Sequence, residues 1–245
     1  NLDMIFPNFD AELYNFICIR EKLESSMSIK MVIPSKAQFE SRHKSNLQYF
    51  GKKYNISVPS SSPTFSVYEA ISTCEKEGYP AVVKGKFYDA IIVYSQEQVA
   101  QSFNKISAKW GLPILVQQFI KGTEVNLCGI GDGKGNTLGA VPMKKIYITD
   151  KGKAWSGVSI DDRELINLCN NFVSSTNWEG PFELEVIKTD DNKYYLLEIN
   201  PRFPAWCYLC VGVGQNQIET IVKLAMGLDY KPQNQYEIGK MFVRY

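Results

Sequence analysis

The sequence predicts a mixed fold, α/β at its start and α+β beyond. Three observations predict it. Residues 1 to about 60 alternate helix, strand and helix, the pattern of α/β layering. Apolar, β-rich runs then recur in pairs around short polar turns, as antiparallel hairpins do. Between the hairpins, apolar residues recur at three- and four-residue spacing, which marks one face of a helix.

The elements follow in order. NLDMIFPNFDAELYNF reads as a strand end, a loop and a helix, so the chain is expected to begin partway into a domain. A helix from Ala11 to Glu24, a strand from Ile29 to Ile33 and a second helix near Ser45 to Tyr54 complete the first block. SVPSSSPT, Ser57 to Thr64, is rich in serine and proline and is expected to be a linker, the best boundary in the chain. YPAVVKGKFYDAIIVY is a hairpin pattern. Ser95, with Gln98 three residues on, forms a capping box before an amphipathic helix. The strand PILVQQF ends this block near Phe119.

The third block opens with strands EVNLCGIG and NTLGAVPMKK, joined by the tight-turn sequence DGKGN. Leu165, Leu168, Cys169, Phe172 and Val173 then line one apolar helix face. The hairpin GPFELEVIKTDDNKYYLLEINPR follows, and a helix spans about Gln217 to Met226.

With 27 basic against 26 acidic side chains, the chain shows no electrostatic footprint for nucleic acid. No apolar run approaches the ~18 residues that cross a bilayer, so no membrane partner is expected. Six scattered cysteines suit reduced thiols, and a cytoplasmic location is expected. Cys207-x-x-Cys210 is weak as a zinc motif, because the chain's one histidine, His43, cannot complete about four ligands. Two half-buried cysteines at helical spacing explain it better.

The chemistry concentrates in the last hairpin. If Asp191-Asn192 is a two-residue turn, Glu185 faces Glu198 and Glu183 faces Asn200, and all four share one face. Like charges directly opposite are destabilising, and unpaired burial is worse, so a cation from outside the hairpin is required wherever this face is buried. Two carboxylates and an amide oxygen are hard donors that suit Mg²⁺, with phosphate oxygens completing its shell. A hydrated strand face satisfies the same pattern, and geometry alone leaves both readings open.

Glu198-x-Asn200-Pro201-Arg202 on a strand, with Glu185 thirteen residues upstream, resembles the ATP-grasp superfamily, in its carbamoyl phosphate synthetase and biotin carboxylase branch. The resemblance spans about residues 32 to 226 and continues through GYPAVVK, ILVQQFIKGTE, PMKKIY and PSKAQFESRHKSNLQYFGKKYNISVP. It implies an ATP-grasp fold, two α+β lobes clasping ATP, preceded by a partial pre-ATP-grasp α/β domain. The implied divisions are 1–60 for that domain and its connecting helix, 61–119 for the small lobe and 120–245 for the large lobe with the metal site.

The resemblance also implies roles. Glu185, Glu198 and Asn200 hold Mg²⁺, for which Mn²⁺ is an acceptable substitute. Arg202 holds a carboxylate or its acyl phosphate. Lys84 and Lys144 reach the ATP phosphates, with Lys145 competing for the second place. Gln117 and the backbone at Gln118 and Ile120 hold adenine, and Glu124 holds the ribose. Lys44 contacts nucleotide phosphate, with Arg42 as the alternative. Lys151 to Asp161, a Gly/Ser-containing loop, is expected to close over the site, and Trp155, Trp206 and Tyr208 to line an acceptor pocket.

The implied activity is ATP-dependent ligation of a small-molecule or peptide carboxylate to an amine, ammonia or thiol, and it is compatible with a homodimer. One departure stands out. The turn GKFYDA has a single glycine where members commonly carry a glycine-rich phosphate loop, leaving Lys86 and Tyr88 to replace its contacts. A nucleotide-binding regulatory protein without turnover is the alternative, and a domain of a larger synthetase is a third reading.

Overall fold

Five helices begin where the side chain of Ser35, Ser66, Ser95, Asp162 or Asn216 accepts a backbone N–H of the first turn, and most strands form where apolar residues run on. The computed structural model describes residues 2–86, 89–149 and 154–244. In chain order these form α1 (Asp10–Met27), α2 (Lys36–Ser41), α3 (Leu47–Tyr54), β1 (Ser61–Thr64), α4 (Val67–Glu77), β2 (Ala81–Lys84), β3 (Ala90–Val93), α5 (Gln96–Trp110) and β4 (Ile114–Gln118). There follow β5 (Thr123–Asp132), β6 (Thr137–Ile148), β7 (Ala154–Ser159), α6 (Arg163–Thr176), β8 (Glu179–Lys188), β9 (Tyr194–Asn200), α7 (Tyr208–Gly212), α8 (Gln217–Met226) and β10 (Met241–Val243). Among the described residues, no helix is long and apolar enough to cross a membrane. The chain divides into two units, residues 1–42, 124–186 and 198–245 in one, and 43–123 and 187–197 in the other.

The second unit is built on an antiparallel sheet in the order β1-β4-β2-β3. Ala81, Val83, Val93, Ile114 and Val116 pack against Ala70 and Cys74 of α4 and Val99, Phe103 and Ile106 of α5. Each fully buried Val, Ile or Phe in such a core contributes about 1.5–3 kcal/mol. The Ser95 hydroxyl accepts from the Gln98 N–H, while Gln98 Oε1 reaches one residue further back than a capping box requires, to the Tyr94 N–H at 2.8 Å.

Two expectations for this unit change. The Ser/Pro stretch is not purely a linker, because Ser61–Thr64 pairs with β4. Proline is tolerated there since β1 is an edge strand. The Asp191-Asn192 two-residue turn is replaced by a three-residue loop: Thr189 N–H donates to Lys193 O at 2.9 Å, and Asn192 takes the left-handed conformation (φ 57°).

In the first unit the sheet order is β10-β7-β6-β5-β8-β9. The β5–β6 register, Val125 facing Lys144 and Leu127 facing Pro142, puts Glu124, Asn126 and Cys128 on one face and Val125 and Leu127 on the other. The first face continues into a core of Cys128, Ile130, Val141 and Met143 with Trp206, Leu209 and Cys210. Cys210 lies in α7 and is buried, whereas Cys207, at its cap, is half-buried.

Residues 29–33 do not form the expected strand. Lys30 alone bridges to Met4, and the carbonyls of Met31 and Ile33 instead accept from the Arg20 guanidinium, which also grips Glu179 with two nitrogens at 2.8 and 3.0 Å. The expected lid is also overturned for 154–159. That stretch is β7, hydrogen-bonded between β6 and β10, so its backbone is already satisfied within the sheet. Residues 150–153 lie outside the described residues, as does Tyr88 of the short phosphate turn.

Candidate active site

β8 and β9 bring the acids of the last hairpin together. Asn200 Nδ2 donates to Glu183 Oε2 at 3.1 Å and to Glu185 Oε1 at 3.0 Å, which joins these three side chains. Glu183 Oε1 accepts two further bonds, from Asn126 Nδ2 at 2.8 Å and Trp206 Nε1 at 2.7 Å. Burial first, then the nearby Glu185 carboxylate, push Glu183 up to about 7, against the opposing pull of Trp206, Asn126 and Arg202.

The cation that this face requires comes from β6. Lys145 pairs with Glu124 and lies 3.5 Å from Glu185 Oε2, with its side chain only 7% exposed. Burial pulls its ammonium down, but Glu185 and Glu124 more than offset that, and its pKa is raised. Lys144, expected to reach the ATP phosphates with Lys145 competing, is exposed and faces Val125 and Val158 across the other side of the sheet. The physical reason is the two-residue period of a strand, which sends adjacent lysines to opposite faces. Glu124 likewise meets Lys145 here.

Beyond the strand end, Arg202 Nη2 donates to Asn200 Oδ1 at 3.4 Å and Nε to Asp10 Oδ1 at 3.1 Å. Arg42 Nη2 lies 2.9 Å from the other oxygen of Asp10. The arginine of the N-P-R motif is therefore held between the Asn200 amide and the first turn of α1. Burial lowers the Arg42 pKa, Asp10 and Glu198 oppose that, and Arg202 adds to it, which puts Glu198 in the same electrostatic neighbourhood.

Two carboxylates and an amide oxygen are donors whose chemistry suits a hard divalent cation. Asn200 Nδ2 is committed to two carboxylates, and its Oδ1 accepts from Arg202. Among the described residues no three His, Cys, Asp or Glu side chains converge on one point. The protein's share would be Glu185, Glu198 and the Asn200 oxygen, with ligand oxygens filling the remainder, as Mg²⁺ commonly accepts.

In the second unit, Val82 faces Gln117 and Lys84 faces Leu115, so Lys84 and Gln117 share the sheet face turned away from Val83 and Val116. Both are buried. Gln118 is exposed, and its N–H donates to Ser60 O at 2.9 Å. Ile120 is half-buried. Lys44 is half-buried in the turn between α2 and α3. Gly85 N–H donates to Asp89 O at 3.0 Å, which closes the short turn after Lys84.

Of the aromatics expected around an acceptor, Trp206 is buried against Glu183, while Tyr208 and Trp155 are exposed. Asp10, Asn126 and the bridging role of Glu183 escaped sequence reasoning. The alternation in EVNLCGIG does put Asn126 on the face of Glu124, but nothing in the sequence joins Asp10 to Arg202.

A family model described as "ATP-grasp in the biosynthetic pathway with Ter operon" matches residues 112–244. The carbamoyl phosphate synthase large chain of Pyrococcus furiosus is 24% identical over 195 residues, which cover 75% of this chain and 18% of that protein. The chain thus spans under a fifth of that relative's length. A biotin carboxylase–β-γ-ATP complex from Campylobacter jejuni superposes with a TM-score of 0.79 at 18% identity, covering 98% of this chain and 58% of its own. The biotin carboxylase domain dimer of 2-oxoglutarate carboxylase from Hydrogenobacter thermophilus, in complex with MgADP, ADP and bicarbonate, gives a TM-score of 0.75 at 17% identity, over 98% and 57% of the two chains. These structural likenesses show the fold.

Proposed function

The chain belongs to the ATP-grasp family whose model it matches over residues 112–244, and from that premise we propose that it is an ATP-dependent ligase joining a carboxylate to an amine, ammonia or thiol through an acyl phosphate. The observation that supports this best is the Asn200 amide. It is clamped by Glu183 and Glu185 so that its oxygen lies beside Arg202.

In the proposed reaction a substrate carboxylate oxygen attacks the γ-phosphorus of ATP. The bond from that phosphorus to the bridging oxygen breaks, leaving ADP and an acyl phosphate. An amine nitrogen then attacks the acyl carbon, inorganic phosphate departs, and the nitrogen loses a proton. The protein's contribution is positioning and charge neutralisation. Mg²⁺, held by Glu185, Glu198 and Asn200 Oδ1, would supply charge neutralisation and alignment of the phosphate oxygens.

Lys145 takes the cationic role first given to Lys144, because it is the lysine of PMKKIY on the acidic face. It neutralises Glu124 and Glu185 and stays protonated throughout. Arg202 holds the carboxylate with its planar fork. In the second unit, Lys84 is assigned to phosphate, Gln117 and the backbone at Gln118 and Ile120 to adenine, and Lys44 to a nucleotide phosphate. Glu124 is assigned to the ribose. A small-molecule or peptide carboxylate, a homodimer and a cytoplasmic setting belong to the same reading.

One observation favours a second reading. The single glycine of GKFYDA commits its N–H to the Asp89 carbonyl rather than offering it to phosphate. A nucleotide-binding regulator without turnover would keep such a turn.

Mass spectrometry of the protein incubated with Mg·ATP and a pooled extract of metabolites and amino acids separates the two, with Glu198→Ala as control. ADP together with a new amide or thioester mass, absent with Glu198→Ala, supports the ligase. Tight Mg·ATP binding without product supports the regulator. Failure to bind ATP sinks both.

A further inference from the structure

Two arginines converge on one aspartate at the edge of the acidic cluster. Asp10, the first residue of α1, offers Oδ1 to Arg202 Nε at 3.1 Å and Oδ2 to Arg42 Nη2 at 2.9 Å. A single carboxylate thus bridges two guanidiniums, one oxygen to each. Asp10 is the usual kind of residue for a first helical turn, where an acid favours the helix dipole. Here its carboxylate extends away instead, and the α1 cap position, Phe9, makes no side-chain capping bond.

The two sides of this contact differ in permanence. Arg42 is fixed: its side chain is 10% exposed and its guanidinium lies 4.2 Å from the centre of the Phe39 ring. Arg202 is fixed too, by Asn200 Oδ1 and the Phe203 carbonyl. The Asp10 side chain is 37% exposed, so the anion is the accessible partner and the cations are the built wall.

The wall also has spare capacity. Arg42 Nε is buried and has no acceptor among the described residues. A purely structural ion pair would be expected to fill both nitrogens of a buried fork, since a buried unmade hydrogen bond costs about 1–3 kcal/mol. An oxyanion with more oxygens than a carboxylate, or one free of a helix backbone, can satisfy donors that Asp10 leaves open.

We propose that Arg42 and Arg202 together form the subsite for the substrate carboxylate and its acyl phosphate, and that Asp10 is an internal carboxylate occupying this subsite until a substrate oxyanion replaces it. Arg42 is thereby a second specificity-determining arginine, and Asp10 sets how strongly an anion must bind to enter. This deepens the ligase reading and rests on it for the identity of the anion, but not for the existence of the subsite.

The test uses inorganic phosphate as the probe, without ATP, and reads affinity by calorimetry and the phosphate-induced rise in Tm. Asp10→Asn keeps the shape and removes the competing charge. It should bind phosphate about tenfold more tightly than the unaltered protein, the scale of one charge-assisted hydrogen bond. Asp10→Asn combined with Arg42→Met should lose that gain, and Arg42→Lys should recover part of it. A gain that persists without Arg42, or no gain with Asp10→Asn in a protein of unchanged circular dichroism, overturns the proposal.

If Asp10→Asn does not fold, the comparison of Arg42→Met and Arg42→Lys in the otherwise unaltered chain decides the matter. Equal phosphate affinity in those two variants overturns the subsite. Phosphate binding that follows this pattern in a protein without Mg·ATP turnover leaves the subsite standing and removes the ligase reading alone.

Discussion

Glu183 accepts hydrogen bonds from Asn126, Trp206 and Asn200 while itself buried beside another carboxylate. Replacing it removes the carboxylate that Asn126 Nδ2 and Trp206 Nε1 donate to and leaves Asn200 Nδ2 with Glu185 alone. Glu183→Ala is expected to destabilise the fold by about 2–4 kcal/mol in urea denaturation, since each unsatisfied group costs about 1–3 kcal/mol and the site relaxes in part. The two adjacent lysines make a sharper test. Lys145→Met removes the ammonium from between Glu124 and Glu185 and should lower turnover about a hundredfold. Lys144→Met, on the opposite face, should leave stability within about 0.5 kcal/mol and turnover unchanged. At this scale the residue types were legible in PMKKIY and EINPR, but the choice between neighbours was not. That choice depends on which face of β6 meets the acids, a fact of register that composition does not encode.

At the scale of the element, turns and close approaches decide whether these faces meet. The β5–β6 turn is organised by Asp132, whose Oδ1 accepts from the Lys134 N–H at 2.7 Å and the Asn136 N–H at 3.0 Å, while Gly133 and Gly135 adopt positive φ. Burial works against its charge, but Asn136 and those backbone N–H groups outweigh burial and hold its pKa below the usual carboxylate value. A carboxylate whose folded-state pKa is depressed contributes stability above its unfolded pKa and loses it as pH falls through the folded value. The destabilisation caused by Asp132→Asn should therefore be larger at pH 7 than at pH 3 in chemical denaturation. Gly122 is a close approach, where an added Cβ would sit 2.4 Å from the Lys188 carbonyl oxygen. Gly122→Ala should cost about 1–3 kcal/mol by overpacking, read as a lower Tm.

DGKGN announced its turn in the sequence, because glycine and Asp/Asn are the residues that positive φ and side-chain capping call for. Residues 154–159 did not announce a strand. Their serines and glycine resemble a loop, and only pairing with β6 and β10 makes them part of a sheet.

Across the whole molecule, the family premise predicts that Mg·ATP stabilises the chain by mass action. At a ligand concentration about a hundredfold above Kd, the gain should be about 2.7 kcal/mol, and thermal unfolding with and without Mg·ATP measures it. Glu198→Ala should lessen that gain, and removal of divalent cation with EDTA should lessen it in the unaltered protein. No rise in Tm with saturating Mg·ATP would count against every nucleotide-based reading of this chain.

The sequence by itself determined the order of helices and strands through most of the chain, the acidic hairpin and the family, because periodicity, capping residues and the EINPR spacing are local. Only the tertiary structure decided that Lys145 is the cation among the acids, that Ser61–Thr64 and Ala154–Ser159 are strands, and that Asp10 meets two arginines. Those outcomes depend on side chains far apart in the chain arriving at one place. A contact between Asp10 and Arg202 spans 192 positions, and no local pattern specifies it.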